Sequence, residues 1–371
     1  MEAWAVMLLL LLLASGCRQD DLVIMPDEQT TDDAQVSDQY LGLYVLNEGN
    51  MGSNKATLDY LDFSTGAYSR NIYPSRNPNV VKELGDVGND VKIHNGELWM
   101  VINLSNKVEV ADAMTAVSRG RVEIPNCRYL AFQGDYAYVS SYVGKIYEQS
   151  VLGAVYKIDV KTLKVIDTCV VGYQPEEMVI QDGRLYVANS GGYNPMFGME
   201  YDRTVSVIDL VSFKEIRKID VGVNLFRLRA DKYGKLWVTS RGDYANRRPM
   251  TFIVDNDEVI DSLNLPIGDM TFRGDSLVYY AAVFGEPKAE YGVLDIRTHK
   301  VINSDFIAQP TDNPITTPYG IMVHPLTGNV YLMDATNYVS SGKLYCFDQK
   351  GEFKWVTWTG DIPGHGCFLK K

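Results

Sequence analysis

The chain has 371 residues, of which 46% are hydrophobic and 11% aromatic, so it can bury a large core. Its formal net charge of −12 argues against nucleic-acid binding, because phosphate contacts depend on clustered Lys and Arg. Length alone would suggest two or three domains, but an internal repeat indicates one closed domain.

Residues 1–16 are predicted to be a lipoprotein signal peptide, with Leu8–Leu13 as its apolar segment. Cys17 follows directly, which resembles the lipobox of bacterial lipoproteins and predicts lipidation of its thiol. Ala14 stands where that pattern has Leu, and Glu2 is the only charged residue before Cys17. The apolar run is shorter than the roughly 18 residues of a membrane-spanning helix. We therefore expect contact with the membrane through the lipid anchor alone.

Residues 17–39 are predicted to be an acidic, flexible tether. Between Arg18 and Asp38 the segment has seven acidic residues and one Arg, too little apolar surface for a core. Acidic residues behind a lipidated Cys also resemble the surface-export signal of some Gram-negative outer-membrane lipoproteins. The protein is therefore expected at the outer membrane, facing the cell exterior. The alternative is that the acidic residues form a solvated linker without an export signal.

Residues 40–371 repeat a unit of four short β patterns, seen most completely in Gln174–Val221. The period of about 40 to 55 residues is typical of four-stranded propeller blades. An Asp ends the third strand of each unit and can accept backbone N–H bonds from the following turn. The seven positions, which predict an all-β, seven-bladed β-propeller, are Asp62, Asp112, Asp159, Asp209, Asp255, Asp295 and Asp348.

The first blade begins near Leu43 and supplies only three strands of its own. The segment Gly364–Leu369 is a strand with no blade, and we expect it to complete the first blade as its innermost strand. This closure would remove an open sheet edge. The other blades are predicted at Asp90–Glu123, Cys127–Val170, Pro175–Asp220, Leu225–Leu265, Ile267–Ile307 and Thr317–Thr359.

Four cysteines lie in the predicted propeller, and their placement predicts no disulfides. Cys127 and Cys169 fall on the first and fourth strands of one blade, roughly 14 Å apart at about 4.8 Å per strand step. A disulfide needs Cα atoms within about 7 Å. Cys346 and Cys367 fall on different blades, so all four are expected to be buried thiols.

One face of the propeller is expected to collect the long loops, which join second to third strands and successive blades. Rigidly mounted long loops are the usual place for binding residues. These loops are rich in aromatic residues, which offer flat apolar surface and, in Tyr, a hydroxyl. They include Tyr142, Tyr147, Tyr173, Tyr193, Phe197, Tyr201, Tyr244, Phe284, Tyr291, Tyr319 and Tyr338, with Arg241, Asp243, Arg247 and Arg248 as a charged cluster.

Catalytic motifs are not found, so the protein is predicted not to be an enzyme. The sequence has four His; His94, His299 and His324 fall in or beside short turns, and His365 lies at the loop face near the channel. A propeller lyase or hydrolase is the alternative, for which Tyr319, His365 and Arg227 would be the residues to suspect. No cofactor and no metal site is expected.

Three motifs carry a family resemblance: Asn47–Asn50, Asp334–Tyr338 and the ending Pro363–Phe368. With them, residues 40–369 resemble the seven-bladed surface-lipoprotein propellers related to the YncE group. That family includes lipoproteins that capture cobalamin and pass it to the outer-membrane vitamin B12 transporter. The resemblance implies a corrinoid as bound ligand and an outer-membrane transporter as partner. The domain is expected to be monomeric. A polysaccharide- or protein-binding module is the alternative.

The expected ligand site is the long-loop face. Aromatic contacts are assigned to five residues, hydrogen-bond donation to Asn50 and Arg241, and a place near the channel to His365. A corrin is broad, apolar across its faces and fringed with amides, so it needs a wide platform with scattered polar groups. The five aromatic residues are Tyr142, Tyr193, Phe197, Tyr244 and Tyr338.

Overall fold

A computed structural model describes residues 27–32, 34, 39–80, 83–145, 150–286 and 288–371. The predicted signal peptide, the lipidation site Cys17 and the loop residue Tyr147 lie outside the described residues. Within the described ranges, no helix is both long and apolar enough to cross a membrane.

The described residues form 29 strands, one short helix and one 3-10 helix, Asn194–Phe197. In chain order the strands and the helix are β1 (Asp27–Thr30), β2 (Tyr40–Asn47), β3 (Thr57–Asp62), β4 (Ala67–Arg70), α1 (Ile72–Arg76), β5 (Gly88–His94), β6 (Glu97–Ile102), β7 (Lys107–Asp112), β8 (Ser118–Glu123), β9 (Cys127–Gln133), β10 (Tyr136–Ser141), β11 (Leu152–Asp159), β12 (Lys164–Tyr173), β13 (Pro175–Gln181), β14 (Arg184–Asn189), β15 (Thr204–Asp209), β16 (Lys214–Asp220), β17 (Leu225–Ala230), β18 (Leu236–Ser240), β19 (Met250–Asp255), β20 (Glu258–Leu263), β21 (Ile267–Arg273), β22 (Ser276–Ala281), β23 (Glu290–Asp295), β24 (Lys300–Asn303), β25 (Pro318–Val323), β26 (Val330–Asp334), β27 (Ser341–Phe347), β28 (Phe353–Asp361) and β29 (Pro363–Lys370).

The strands form seven antiparallel sheets, and the prediction of a seven-bladed propeller is confirmed. Six blades take four consecutive strands each, and the first strand of each is innermost. The predicted closure is also confirmed: β29 pairs with β2 and is the innermost strand of the first blade, with Tyr44 opposite Cys367. Joining the two ends of the chain in one sheet closes the ring without leaving an unpaired inner edge.

A fifth strand extends the outer side of the first blade. β1 pairs with β4, placing Asp27 opposite Arg70, and Arg70 forms an ion pair with Asp27. The amide Nε2 of Gln29 donates to Trp358 O at 3.5 Å, and Gln29 Oε1 accepts from Thr357 Oγ1 at 2.7 Å in the neighbouring blade. Asp27–Thr30, which lie in the stretch 17–39 that was expected to be a tether, are therefore part of the first blade, because their backbone pairs with the edge strand β4.

The core lies between neighbouring blades rather than in one central cluster. One cluster joins Tyr44 and Leu58 of the first blade to Met100 and Ala111 of the second. Such contacts arise because each strand alternates apolar side chains toward the adjacent sheet. Burial at about 25 cal/mol per Å² of apolar surface makes these interfaces the main stabilising contribution of the fold. They hold the inner strands rigidly around the channel.

Six of the seven repeated Asp residues receive the predicted N–H bonds. In Asp159, for example, Oδ1 accepts from Thr162 N at 2.8 Å and from Lys161 N at 3.1 Å. These bonds lower the pKa of the Asp159 carboxyl. Asp255 is the exception, since its hairpin turns on Asn256 and Asp257 at φ 50° and 63°, a two-residue turn that needs no side-chain acceptor. The other Asp residues that accept such bonds are Asp62, Asp112, Asp209, Asp295 and Asp348.

Cys127, Cys169, Cys346 and Cys367 form no disulfide with one another; the first three are buried, as predicted, whereas Cys367 is only half-buried. Cys127 is fully buried, and its thiol lies 3.3 Å from Lys107 O. It packs as a small apolar residue between two blades.

Candidate functional site

Two cavities open at the two ends of the central channel. The first, which we call the loop-face cavity, has a volume of about 480 Å³ and lies on the side of the long loops. The second, the turn-face cavity, has a volume of about 1170 Å³ and lies on the side of the short hairpin turns. His365 lines both, so it stands between them in the channel.

The same positions of the seven inner strands build the channel wall. Each inner strand has a β-bulge or register shift near its loop-face end. Bulges re-aim side chains and are common beside binding sites. The second residues are Asn89, Arg128, Glu176, Phe226, Gly268, Tyr319 and Gly364, and the third residues are Asp90, Tyr129, Glu177, Arg227, Asp269, Gly320 and His365.

Acidic third residues occur in alternate blades, and each accepts a backbone N–H from the next inner strand. Asp90 Oδ2 accepts from Leu130 N at 2.9 Å. Glu177 Oε2 accepts from Leu228 N at 3.0 Å, and Asp269 Oδ2 accepts from Ile321 N at 3.1 Å. These three bonds clasp successive blades together around the channel. They explain why buried carboxylates stand in an otherwise apolar strand pattern.

Basic side chains neutralise those carboxylates. Arg229 bridges two of them, with Nε 3.1 Å from Glu177 Oε1 and Nη2 2.8 Å from Asp269 Oδ1. Arg227 Nε lies 3.3 Å from the same oxygen of Asp269, and Lys92 Nζ lies 3.3 Å from Asp90 Oδ2. Burial would raise the pKa of Glu177, but Arg229 and Arg227 outweigh it and lower that pKa. The carboxylate is thus held ionised.

Closer to the loop face, Glu176 gathers three side chains. It is 1% exposed and accepts from Arg128 Nη2 at 2.9 Å and Arg241 Nη1 at 3.2 Å. The Tyr142 hydroxyl donates to it at 2.6 Å. Burial alone would raise the pKa of Glu176, but the charges of Arg128 and Arg241 and the Tyr142 hydrogen bond lower it. One carboxylate therefore holds two guanidinium groups at the floor of the cavity.

Glu48 lies on the opposite wall. It follows β2 and is half-buried, and Tyr319 OH donates to its Oε2 at 3.2 Å. Burial raises the pKa of Glu48 to about 7, although Arg128, the Tyr319 hydrogen bond, Arg227 and Arg241 each act to lower it. The cavity thus contains one carboxyl group that titrates near neutrality.

His365 projects from the closing strand β29 into the middle of the channel. Its Nδ1 lies 4.0 Å from Asp90 Oδ1, and its ring meets that of Tyr129 edge-on at 5.9 Å. Burial, with the positive charges of Arg227 and Arg229, holds the pKa of His365 well below 6.5, so the ring is neutral at physiological pH. Among the residues described, no hydrogen bond joins it to Tyr319 or Arg227.

Aromatic side chains form the rim of the loop-face cavity in edge-on pairs. Such pairs add to rigidity beyond their buried area. Tyr244 is 60% exposed and Phe284 84% exposed, so this side of the rim presents apolar surface to solvent. The pairs are Tyr142–Tyr193 at 6.1 Å, Tyr244–Phe284 at 6.1 Å and Tyr319–Tyr338 at 5.6 Å.

Six of the eight predicted ligand residues line this one cavity: Tyr142, Tyr193, Arg241, Tyr244, Tyr338 and His365. The structure places the other two elsewhere. Asn50 Nδ2 donates to Val339 O at 3.0 Å and so ties two loops together. Phe197 ends the 3-10 helix of the long fourth-blade loop and does not line the cavity.

Sequence reasoning missed the inner-strand residues of the floor. Arg128, Phe226 and Tyr129 line the cavity, and Glu176 lies beneath it, but all belong to blade strands, whereas the binding residues were expected in the long loops. Aligning the seven inner strands by their second and third positions would have found them, because charged or aromatic residues recur there. Within the described ranges, no group of three or more His, Cys, Asp or Glu could hold a metal ion.

Residues 41–355 match a family described as "Domain of unknown function (DUF5074)". No curated protein matches the sequence.

Among solved structures, a quinonprotein alcohol dehydrogenase-like protein from Bacteroides thetaiotaomicron superposes with a TM-score of 0.61 at 14% identity, covering 89% of this chain and 78% of that one. Hydrazine synthase from Kuenenia stuttgartiensis gives 0.56 at 16% identity, covering 71% and 76%. The computationally designed Ika8 protein gives 0.51 at 10% identity, covering 75% and 89%. At these identities the likeness concerns the fold alone.

Proposed function

The chain belongs to the DUF5074 family, and we propose that it is a non-catalytic binding protein whose loop-face cavity takes a large, flat organic ligand, a corrinoid being the first candidate. The observation that supports this most is the convergence of Tyr193, Tyr244 and Tyr338 at the rim of one rigid cavity, with the buried Tyr142 packed against Tyr193. A flat ligand can stack on such a rim while polar groups below orient it.

The size of the cavity supports binding at the mouth rather than enclosure. A volume of about 480 Å³ is within the range of small-molecule sites, and a corrin ring would extend over the rim. Phe284 and Tyr244 are exposed enough to contact such an overhanging ligand. This geometry suits a protein that captures a ligand and passes it to a partner, since one side of the ligand stays accessible.

The pairing of the Arg side chains with carboxylates favours ligand binding over catalysis. Arg128 and Arg241 are held by Glu176, and Arg227 faces Asp269. A general acid or base needs a proton-transfer group within hydrogen-bond reach of the reacting atom. Neutral His365 and half-buried Glu48 are the candidates for such a proton-transfer group. Turnover of a bound ligand, abolished by His365→Gln, would replace our proposal with the enzyme alternative.

Titration of the purified protein with cyanocobalamin tests the proposal. Tyr244→Ala should weaken binding by roughly 1–3 kcal/mol, because it removes one of several stacking surfaces. Tyr233→Ala is the matched control: Tyr233 is 53% exposed but lies in the turn between β17 and β18, away from the cavity. Calorimetry that detects no binding at micromolar concentrations rules out the corrinoid. A glycan panel then separates sugar binding from protein docking.

We further propose that the protein is lipid-anchored through Cys17 at the outer membrane and delivers its ligand to an outer-membrane transporter. The motivation is the signal-like segment 1–16 followed directly by Cys17. Cys17→Ser should move the protein from the membrane fraction to the soluble fraction. A variant that still sediments with the outer membrane after a salt wash contradicts the anchor.

A further inference from the structure

The ring of Phe226 lies beside two guanidinium groups at the floor of the loop-face cavity. The central carbon of Arg241 is 3.5 Å from the ring centroid, and that of Arg227 is 4.3 Å away. All three residues line the cavity. Contact with an aromatic face stabilises a guanidinium and leaves its N–H edge available for an anion.

Arg227 is buried but incompletely hydrogen-bonded. It is 2% exposed, and Nη1 donates a long bond of 3.4 Å to Tyr129 OH. Its Nε is within ion-pair distance of Asp269 Oδ1 but lacks the geometry of a hydrogen bond. Asp269 already forms an ion pair with Arg229 Nη2 at 2.8 Å and accepts from two backbone N–H groups. A guanidinium has five N–H donors, so this buried cation retains unused capacity.

Arg241 is also under-neutralised. It shares the single carboxylate of Glu176 with Arg128, which contacts Glu176 through both Nε and Nη2. The side chain of Arg241 is 33% exposed, and its one hydrogen bond among the described residues comes from Nη1. Two cations on one carboxylate leave a local excess of positive charge at this wall. In a partly desolvated cavity such an excess attracts an anion strongly.

We propose that Arg227 and Arg241, which both contact the Phe226 ring, form a subsite for an anionic oxygen group of the ligand, either a carboxylate or a phosphate ester. The inference rests on the proposed function and narrows it: the ligand joins a flat apolar part, stacked at the rim, to an anionic group that reaches the floor. Planar guanidinium groups suit both kinds of oxyanion, because two N–H donors can meet two oxygens. The raised pKa of Glu48 supports the subsite, since a protonated Glu48 does not repel the anion.

Three small probes of matched shape test the subsite: 1-naphthyl phosphate, 1-naphthoate and the neutral 1-naphthalenemethanol. Calorimetric or fluorescence titration of the full chain should show at least one anionic probe binding about tenfold more tightly than the neutral one, as charge-assisted hydrogen bonds predict. Tighter binding of the phosphate points to phosphate esters, and tighter binding of naphthoate points to carboxylates. Either result supports the subsite.

Arg241→Gln should lower the affinity for the preferred anion about tenfold and leave the neutral probe unaffected. Arg121→Gln is the matched control: the Arg121 side chain is 60% exposed and pairs with Glu123 at 2.7 Å, and neither residue lines the cavity. An Arg227 variant can fail to fold because Arg227 is buried, so Arg241 carries the test. Equal losses in the two variants would overturn the subsite.

Equal affinity for all three probes would also overturn the subsite while leaving binding at the loop face intact. Binding of none of the probes overturns it as well. The proposed function is then judged separately by the cyanocobalamin titration, in which the Tyr244→Ala variant reports on the rim rather than on the floor.

Discussion

The two ends of the central channel carry the same kinds of charged residue, but they use them differently. At the turn-face end, Asp90, Glu177 and Asp269 each accept a backbone N–H from the next blade and pair with a cation. At the loop-face end, Arg241 retains unused N–H donors. Among the described residues, Glu48 accepts a hydrogen bond from one side chain, that of Tyr319. Charged side chains whose hydrogen-bonding groups are all used hold neighbouring blades together. Charged side chains with unused hydrogen-bonding groups, lying under an aromatic rim, are suited to binding a ligand.

The largest effect should come from breaking a turn-face clasp. Asp269→Ala removes the acceptor of Ile321 N and the one carboxylate that pairs with Arg227 among the described residues, leaving that buried cation unpaired. We expect a loss of about 3–5 kcal/mol in the free energy of unfolding, measured by urea denaturation. Asp220→Ala is the control, because Asp220 is 65% exposed and pairs with Arg203 on the surface, and its removal should change little. A similar small loss for Asp269→Ala would refute the clasp.

An intermediate effect should depend on pH and involve Glu48. Its pKa rises from 4.5 to about 7 in the folded protein, so the folded state binds the proton more tightly than the unfolded chain. The associated stability is present below pH 4.5 and is lost as the pH rises to 7. Glu48→Gln should remove this loss, so the variant gains on the wild type by at most about 3 kcal/mol between pH 5 and pH 8.

Urea denaturation at those two pH values measures the difference. Tyr319→Phe is an informative companion, because the Tyr319 hydrogen bond lowers the pKa of Glu48. Without that bond, the pH-dependent loss should persist and extend to higher pH. Parallel pH profiles for the wild type and Glu48→Gln would mean that this carboxyl does not titrate near neutrality.

The smallest effect on stability is expected at the floor of the loop-face cavity. Arg241→Gln should cost less than about 1 kcal/mol, because Glu176 keeps Arg128 and Tyr142 and the Arg241 side chain is 33% exposed. The thermal unfolding midpoint measures this cost. A loss as large as that of Asp269→Ala would make Arg241 a structural residue and erase the contrast between the two ends of the channel.

Much of the fold could be predicted from local chemistry. The Asp residues that end third strands form their turns through bonds to residues two to four positions on, as for Asp159 and Thr162, so the sequence around each one specifies the turn. Even the closing strand could be inferred, because Gly364–Leu369 has a strand pattern without a blade of its own. The role of Asp27–Thr30 as an edge strand was not predicted, because its partners Arg70 and Thr357 are distant in sequence.

The candidate site likewise has one part that the sequence predicts and one part that it does not. Tyr142, Tyr193, Tyr244 and Tyr338 could be assigned to the loop-face cavity because the strand pattern specifies which loops share a face. The contacts at the floor of the cavity could not be predicted from the sequence, because whether Arg128, Glu176 and Arg241 meet depends on how three blades pack around the channel. Sequence by itself determined the number of blades and the face with long loops, because both follow from local periodicity. Only the tertiary structure decided which inner-strand charges are fully paired, because their partners come from other blades.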